Sequence, residues 1–202
     1  GPAPRCYSIA NAPRPDGEII LQIARIDGLG TSQWVHETLL PGTVLSLDGP
    51  YGTFIGDPAV ETPILCMAAG TGLAPILALT EAALRRNYRK PVMLVISART
   101  EADVYGRGLL DYWQRRYRNF KYRITLTREQ KEGYLHGRIG EVLPSLFTEL
   151  SAHGVFVAGS PEFVEAACAG AQALGAQPEH IHTEGYFGQA MPETPPQSQL
   201  VA

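Results

Sequence analysis

Gly70-Thr71-Gly72 closes a short apolar run, Ile64 to Ala69, and directly precedes a helical pattern that opens at Leu73-Ala74-Pro75 and continues to about Tyr88. Glycines at such a turn let backbone N–H groups approach an anion closely, and the helix N-terminus favours negative charge there. The chemistry this suggests is the grip on a dinucleotide pyrophosphate. Pro75 stands where the third glycine of G-x-G-x-x-G would be, so an ordinary tight βα turn remains the competing reading of the segment by itself.

A second set of residues has the makings of another anion site. Arg5 supplies a fixed cation, and Gly30-Thr31-Ser32 offers backbone and hydroxyl donors ahead of a short helical pattern. Tyr7 and Ser8 lie beside Arg5. An aromatic face and a hydroxyl next to a phosphate grip suit a flavin, with Tyr7 stacked on the ring and Ser8 bonded near its reactive nitrogen. Taken singly, Tyr7 reads better as a half-buried strand aromatic and Ser8 better as a solvent-facing strand residue.

The elements that must position these groups change character along the chain. Arg5–Ala10 and Glu18–Ile26 alternate as strands, and Thr31-Ser32 are candidate N-caps for a short helix over 33–40. A further strand is expected at Val44–Leu47, and the Gly-, Pro- and Asp-rich stretch Tyr51–Glu61 reads as a linker. Beyond it strands and helices alternate. Strands are expected at Ile64–Ala69, Val92–Ser97, Phe120–Leu126, Val155–Ala158 and His180–Thr183. Helices are expected at Leu73–Tyr88, Gly108–Arg116, Ile139–Leu150 (interrupted by Pro144) and Glu162–Leu174. The fold class is α/β, a five-stranded parallel doubly wound sheet preceded by a separate antiparallel β unit. The final stretch, Met191–Ala202, is rich in Pro and Gln and reads as disordered.

In a doubly wound sheet, ligands bind beyond the carboxyl ends of the strands. Those ends carry Gly70-Thr71-Gly72, Ser97-Ala98-Arg99, Thr127-Arg128, Ala158-Gly159-Ser160 and Glu184-Gly185-Tyr186. Small residues for close approach, two arginines and an acid with aromatics fit a nucleotide better than a sugar or peptide. The Arg99 guanidinium suits a ribose 2′-phosphate, or is a solvated surface group; Arg128 has the same two readings. The one other base near Arg99 in sequence is Arg107.

Composition narrows the classes. The chain has 202 residues with a formal charge of -3, which argues against non-specific nucleic-acid binding. No apolar run nears the roughly 18 residues a membrane span needs. Cys6, Cys66 and Cys168 are far apart, and the latter two lie in apolar patterns, favouring burial over a disulfide framework; a reducing cytoplasm is the expected compartment. The five histidines form no i, i+4 pair, so no metal is assigned, and there is no G-x-S-x-G nucleophile elbow.

Four motifs in order carry a family resemblance: R-C-Y-S at 5–8, G-T-S before W-V-H-E at 30–37, G-P-Y-G at 49–52 and A-A-G-T-G-L-A-P at 68–75. With P-E-H-I-H-T-E-G-Y-F at 178–187, they resemble the ferredoxin–NADP reductase superfamily, most of all the reductase components of bacterial aromatic-ring dioxygenase and related oxygenase systems. The resemblance implies part of an antiparallel FAD-binding barrel at 1–58, an NAD(P)-binding domain at 59–188 and a tail at 189–202. It assigns FAD phosphates to Arg5, the isoalloxazine to Tyr7, the flavin N5 region to Ser8, and the FAD pyrophosphate to Gly30, Thr31 and Ser32. It gives the NAD(P)H pyrophosphate to Gly70, Thr71 and Gly72 and sets Ala158 beside the nicotinamide, while Arg99, Gly159 and Ser160 are candidates to line that cofactor from their place at the strand ends. Glu184, Tyr186 and Phe187 approach the flavin from the nicotinamide side. Ser8 and Glu184 are the residues nearest the chemistry. The implied reaction is hydride transfer from NAD(P)H to FAD, then electron transfer to a [2Fe-2S] ferredoxin or upstream fused domain and indirectly to a terminal oxygenase.

Three departures qualify the implied reading. The strands that should precede Arg5 are missing, so the chain looks like a fragment of a longer one. Ala158 stands where the family usually has Cys, and no four-cysteine module occurs. The competing class is a nucleotide-binding interaction module without turnover, and NADH against NADPH stays open.

Overall fold

Ile64–Ala69 reads I-L-C-M-A-A, apolar at every position, as a strand covered on both faces must be. The computed structural model describes residues 3–28, 30–54 and 61–186, and makes this segment strand β1 of a six-stranded, all-parallel sheet. Phe187, the expected tail and part of the expected linker lie outside the described residues.

The elements are α1 (Gly30–Glu37), β1 (Ile64–Ala69), α2 (Leu73–Arg85), β2 (Val92–Ala98), α3 (Arg107–Arg116), β3 (Phe120–Leu126), β4 (Leu135–His136), α4 (Ile139–Leu146), β5 (Gly154–Gly159), α5 (Pro161–Ala173) and β6 (Ile181–Gly185). The sheet order is β4-β3-β2-β1-β5-β6. Alternate residues of β1 feed two cores. Cys66 and Ala68 pack with Leu77 of α2 and Trp113 of α3; Leu65 and Met67 pack with Leu143 of α4 and Ala171 of α5. Helices therefore cover both faces, and each fully buried Leu, Val or Phe contributes about 1.5–3 kcal/mol. No helix among the described residues is long and apolar enough to cross a membrane.

The five expected strands are present within a residue or two. The sixth, β4, pairs only Thr125 with Leu135 and Leu126 with His136. Two residues carry no periodicity, which is why the sequence does not announce it. Helix α4 ends at Leu146, four residues short of expectation. Pro144 offers no N–H to the turn before it and crowds the carbonyl four residues back, so the helix stops within a turn. Leu150 is still fully buried, its N–H donating to the Leu174 carbonyl at 2.7 Å.

The β unit departs further from its sequence pattern. Arg5–Ala10, Glu18–Ile26 and Val44–Leu47 form no ladder; the pairing reduces to one antiparallel bridge, Ile9 to Leu21. The Ala10 N–H donates to the Ile20 carbonyl at 2.8 Å, and the Asn11 side chain then replaces a backbone partner, accepting from Ile20 N–H at 2.8 Å. Alternation in a sequence marks a face to bury, whereas a strand also needs an edge to pair with. Ile19, Ile26, Val44, Leu45 and Leu47 are all exposed, Val44 at 93%. α1 starts at Gly30, so Thr31 and Ser32 lie inside its first turn rather than capping it.

The two helices behind β1 and β5 approach closely through glycines. A Cβ on Gly170 of α5 would lie 3.0 Å from the Gly140 Cα of α4 and 3.1 Å from a Leu143 methyl. Gly170→Val is expected to destabilise the chain by about 1–3 kcal/mol through overpacking, read as a lower urea midpoint; an unchanged midpoint would show that the helix pair has slack.

Candidate functional site

The strand order reverses at β1. β2 lies on one side of it and β5 on the other, so the ends of β1 and β5 flank the topological switch point. Gly70–Gly72 forms a single 3₁₀ turn there, joining β1 to α2. Gly70 adopts the left-handed φ of 56°. Gly72 is glycine for a different reason: a Cβ would sit 2.1 Å from the Ala158 carbonyl oxygen and 2.7 Å from Gly159 N. The turn thus lies against the backbone at the end of β5. Gly70 is exposed and Thr71 half-buried, leaving the turn's outer side open. Pro75 falls in the first turn of α2, where a missing N–H is tolerated.

At the end of β6 two halves of the sequence meet. The Ser8 hydroxyl donates to the Glu184 carboxylate, and Ser8 Oγ lies 2.9 Å from the Tyr186 hydroxyl. Tyr186 also donates to Glu184 Oε1 at 3.2 Å, closing a three-membered cluster. Register fixes its position, because Glu184 pairs with Ala158 and the Tyr186 N–H donates to the Gly159 carbonyl at 3.0 Å. Burial raises the Tyr186 phenol above its ordinary range, with the Glu184 charge adding to the rise and the Ser8 hydrogen bond opposing it. Tyr105, on the loop after β2, donates to the Gly70 carbonyl at 2.7 Å and lies 3.1 Å from Gln22 Oε1 of the β unit. Although 38% of its surface is exposed, the partial burial of its ring and hydroxyl pushes its phenol up to about 12.

The structure thus brings Ser8, Glu184 and Tyr186 together, within a few residues of the glycine turn and its neighbours Ala158 and Gly159. Ala158 is fully buried, and its carbonyl is what lies against Gly72 of the turn. Gly159 is equally confined, a Cβ there falling 2.7 Å from the Phe163 ring. Ser160 caps α5, its hydroxyl accepting from Phe163 N–H at 3.3 Å, with Pro161 at the first helical position.

The buried Ser32 hydroxyl donates to the Ala24 carbonyl at 2.6 Å and accepts from Ile26 N–H at 3.0 Å, holding the chain ahead of α1. The Thr31 hydroxyl likewise donates to the Ala3 carbonyl. Gly30 and Arg5 are exposed, and Tyr7 is half-buried with its phenol raised by burial and held back by the Arg5 charge. Phe187 lies outside the described residues.

Arg99 is exposed, and its neighbour is Arg128 rather than Arg107: the Arg128 N–H donates to the Arg99 carbonyl at 2.9 Å. Arg107 is engaged elsewhere, 2.6 Å from the Tyr134 hydroxyl and 3.6 Å from Glu101. Asp103 lies near both guanidiniums; hydrogen bonds from Thr100, and then the charges of Arg99 and Arg128, hold its carboxyl below the usual range. Tyr105, Gln22 and Glu81 are the residues that sequence reasoning missed. Glu81 on α2 accepts the Ala12 N–H at 2.7 Å and lies 3.6 Å from Arg14, tying the β unit to the sheet. None sits in a motif; an aromatic in the loop after a strand was the only available cue for Tyr105.

Sheet order and the glycine turn at its reversal define a doubly wound nucleotide-binding domain. A family model described as an oxidoreductase NAD-binding domain matches residues 66–169, and the chain belongs to that family. Among relatives, it is 30% identical over 184 residues to the ferredoxin–NAD(P)(+) reductase component of the naphthalene 1,2-dioxygenase system of Pseudomonas putida, covering 91% of this chain and 56% of that one. It is 32% identical over 198 residues to ferredoxin–NADP reductase B of Sorangium cellulosum, covering 92% of this chain and 79% of that one. The crystal structure of an Amycolatopsis cytochrome P450 reductase superposes with a TM-score of 0.79 at 25% identity, covering 89% of this chain and 55% of that one. The chain therefore spans little more than half the length of the naphthalene relative. These are the relatives that the four sequence motifs implied.

The raised phenols predict an alkaline limit. Tyrosines ordinarily ionise near 10, so a folded value near 12 for Tyr105 means that the folded chain keeps a proton the unfolded chain gives up. That stabilisation is fully present below pH 10 and is lost between pH 10 and 12. Absorbance titration at 295 nm should show a late-ionising population that shrinks in Tyr105→Phe and Tyr186→Phe, and all phenols titrating near 10 would refute the burial argument.

Proposed function

We propose that the chain is the nicotinamide-nucleotide module, with part of the flavin module, of an NAD(P)H-dependent flavin oxidoreductase that feeds electrons to an oxygenase system. The observation that carries this reading is the meeting of Ser8 with Glu184 and Tyr186, from opposite ends of the chain, beside the glycine turn. Such a cluster, shared by two anion-binding elements, is where a flavin ring and a nicotinamide would face each other.

The residues fit the nicotinamide dinucleotide well. Gly70 and Thr71 leave their outer side open, and Gly72 lets the turn seat on β5. They fit FAD through Tyr7 and Ser8 and through the start of α1 at Gly30, Thr31 and Ser32. When bound, the two cofactors supply hydride transfer from nicotinamide to flavin and one-electron delivery onward. The chain's own contribution is to orient them and exclude water. Glu184 and Tyr186 hold the Ser8 hydroxyl in one rotamer at the junction, and the Tyr186 phenol stays protonated there across the physiological range. Arg99 and Arg128 form the basic rim at the ends of β2 and β3, the natural seat of a 2′-phosphate. The relatives named as dioxygenase reductase components support a [2Fe-2S] ferredoxin protein or domain as acceptor. The three free cysteines suit a reducing cytoplasm.

A second reading, a nucleotide-binding module without turnover, draws on the β unit, which forms one bridge rather than a ladder. Ferricyanide reduction separates the two. Protein supplied with FAD should bleach at the flavin bands on adding NADH or NADPH and reduce ferricyanide; nucleotide binding with no reduction favours the second reading. Arg99→Ala is expected to weaken NADPH by about tenfold, in line with loss of a charge-assisted contact, and NADH little. Equal losses in KM for both would refute a 2′-phosphate role.

A further inference from the structure

The loop carrying Tyr105 is fixed on both sides. Thr100 N–H and hydroxyl both donate to the Asp103 carboxylate, at 2.9 and 2.8 Å, and Gly106 takes a left-handed φ of 74° before α3 begins. The side chain thereby reaches the glycine turn with its hydroxyl, which donates to the Gly70 carbonyl at 2.7 Å. That carbonyl also accepts the N–H of Leu73, so both of its lone pairs are used.

Gly70 needs such a restraint. It has a left-handed φ, and a Cβ there would meet nothing within 4 Å, so the peptide that follows is held by the Leu73 N–H and the Tyr105 hydroxyl rather than by side-chain packing. In a trans peptide the carbonyl of one residue and the N–H of the next point in opposite directions. Pinning the Gly70 oxygen on the Tyr105 side therefore aims the Thr71 N–H away from Tyr105. We propose that Tyr105 is a positioning residue for the dinucleotide pyrophosphate, fixing the Gly70–Thr71 peptide so that the Thr71 N–H is presented to a phosphate before any ligand arrives. This rests on the turn being the pyrophosphate site. Gln22 has a different part. A phenol has one proton, so Gln22 Oε1 at 3.1 Å competes with Gly70 for it and does not assist.

The test is calorimetric titration of the full chain with NAD⁺ and with ADP-ribose, which keeps the pyrophosphate but lacks the nicotinamide. Tyr105→Phe keeps the ring and is expected to weaken both ligands by about three- to tenfold, the worth of one neutral hydrogen bond, with the thermal midpoint close to wild type. In turnover, KM for the nucleotide should rise by the same factor at unchanged kcat. Gln22→Ala should bind both ligands as wild type does or slightly more tightly. Wild-type affinity in Tyr105→Phe would overturn the proposal. So would a loss confined to NAD⁺, which would place the effect at the nicotinamide, or an equal loss in Gln22→Ala, which would assign it to contact between the halves. If wild-type protein binds neither ligand, the reading of the turn as a nucleotide site falls, and the proposal with it.

Discussion

Gly72 is pressed against the Ala158–Gly159 backbone more closely than any side chain allows, and much of the crevice depends on that contact. It draws the first βα turn down between the ends of β1 and β5, where the strand order reverses. The same stretch of β5 sets the register of β6, and β6 carries Glu184 to the crevice floor. Two glycines that look alike in the sequence thus do unlike work: Gly70 supplies a backbone conformation, and Gly72 supplies absence of volume. Ala158 belongs to this arrangement through its carbonyl, so its small side chain is compatible with the packing.

The parallel sheet was readable from the chain because its strands obey a demanding rule. A strand covered on both faces must be apolar nearly throughout, and I-L-C-M-A-A or V-F-V-A is difficult to place anywhere else. Helices α2, α3 and α5 were equally plain from their spacing. The β unit misled for a physical reason. Alternation such as that around Ile19 to Ile23 reports two faces of different polarity, and says nothing about whether a neighbouring strand offers its edge. Pairing is a property of two segments, and the described residues supply it at Ile9 and Leu21 alone.

The site divided along similar lines. Residues whose role follows from backbone demands, such as Gly70 and Gly72, were legible, because few residue types meet those demands. Residues whose role lies in a long-range contact were legible only through resemblance, as with Ser8 and Glu184, or not at all, as with Tyr105 and Glu81. Ser32 adds a contact that no motif shows. Its hydroxyl at the helix start is bonded to the chain around Ala24 and Ile26. A donor is free to bind a ligand only after the backbone nearby has been satisfied.

Among the described residues, the β unit meets the sheet at Ser8 on β6, at Ala12 and Arg14 on Glu81 of α2, at Gln22 on Tyr105 beyond β2, and at Phe54, whose ring packs edge-on against Phe156 of β5. These contacts are spread over three elements and a loop of the sheet domain and come from side chains, so the spacing between whatever the two halves hold is set by side-chain contacts as well as by the covalent connection. A change in the length of that connection would leave these contacts in place.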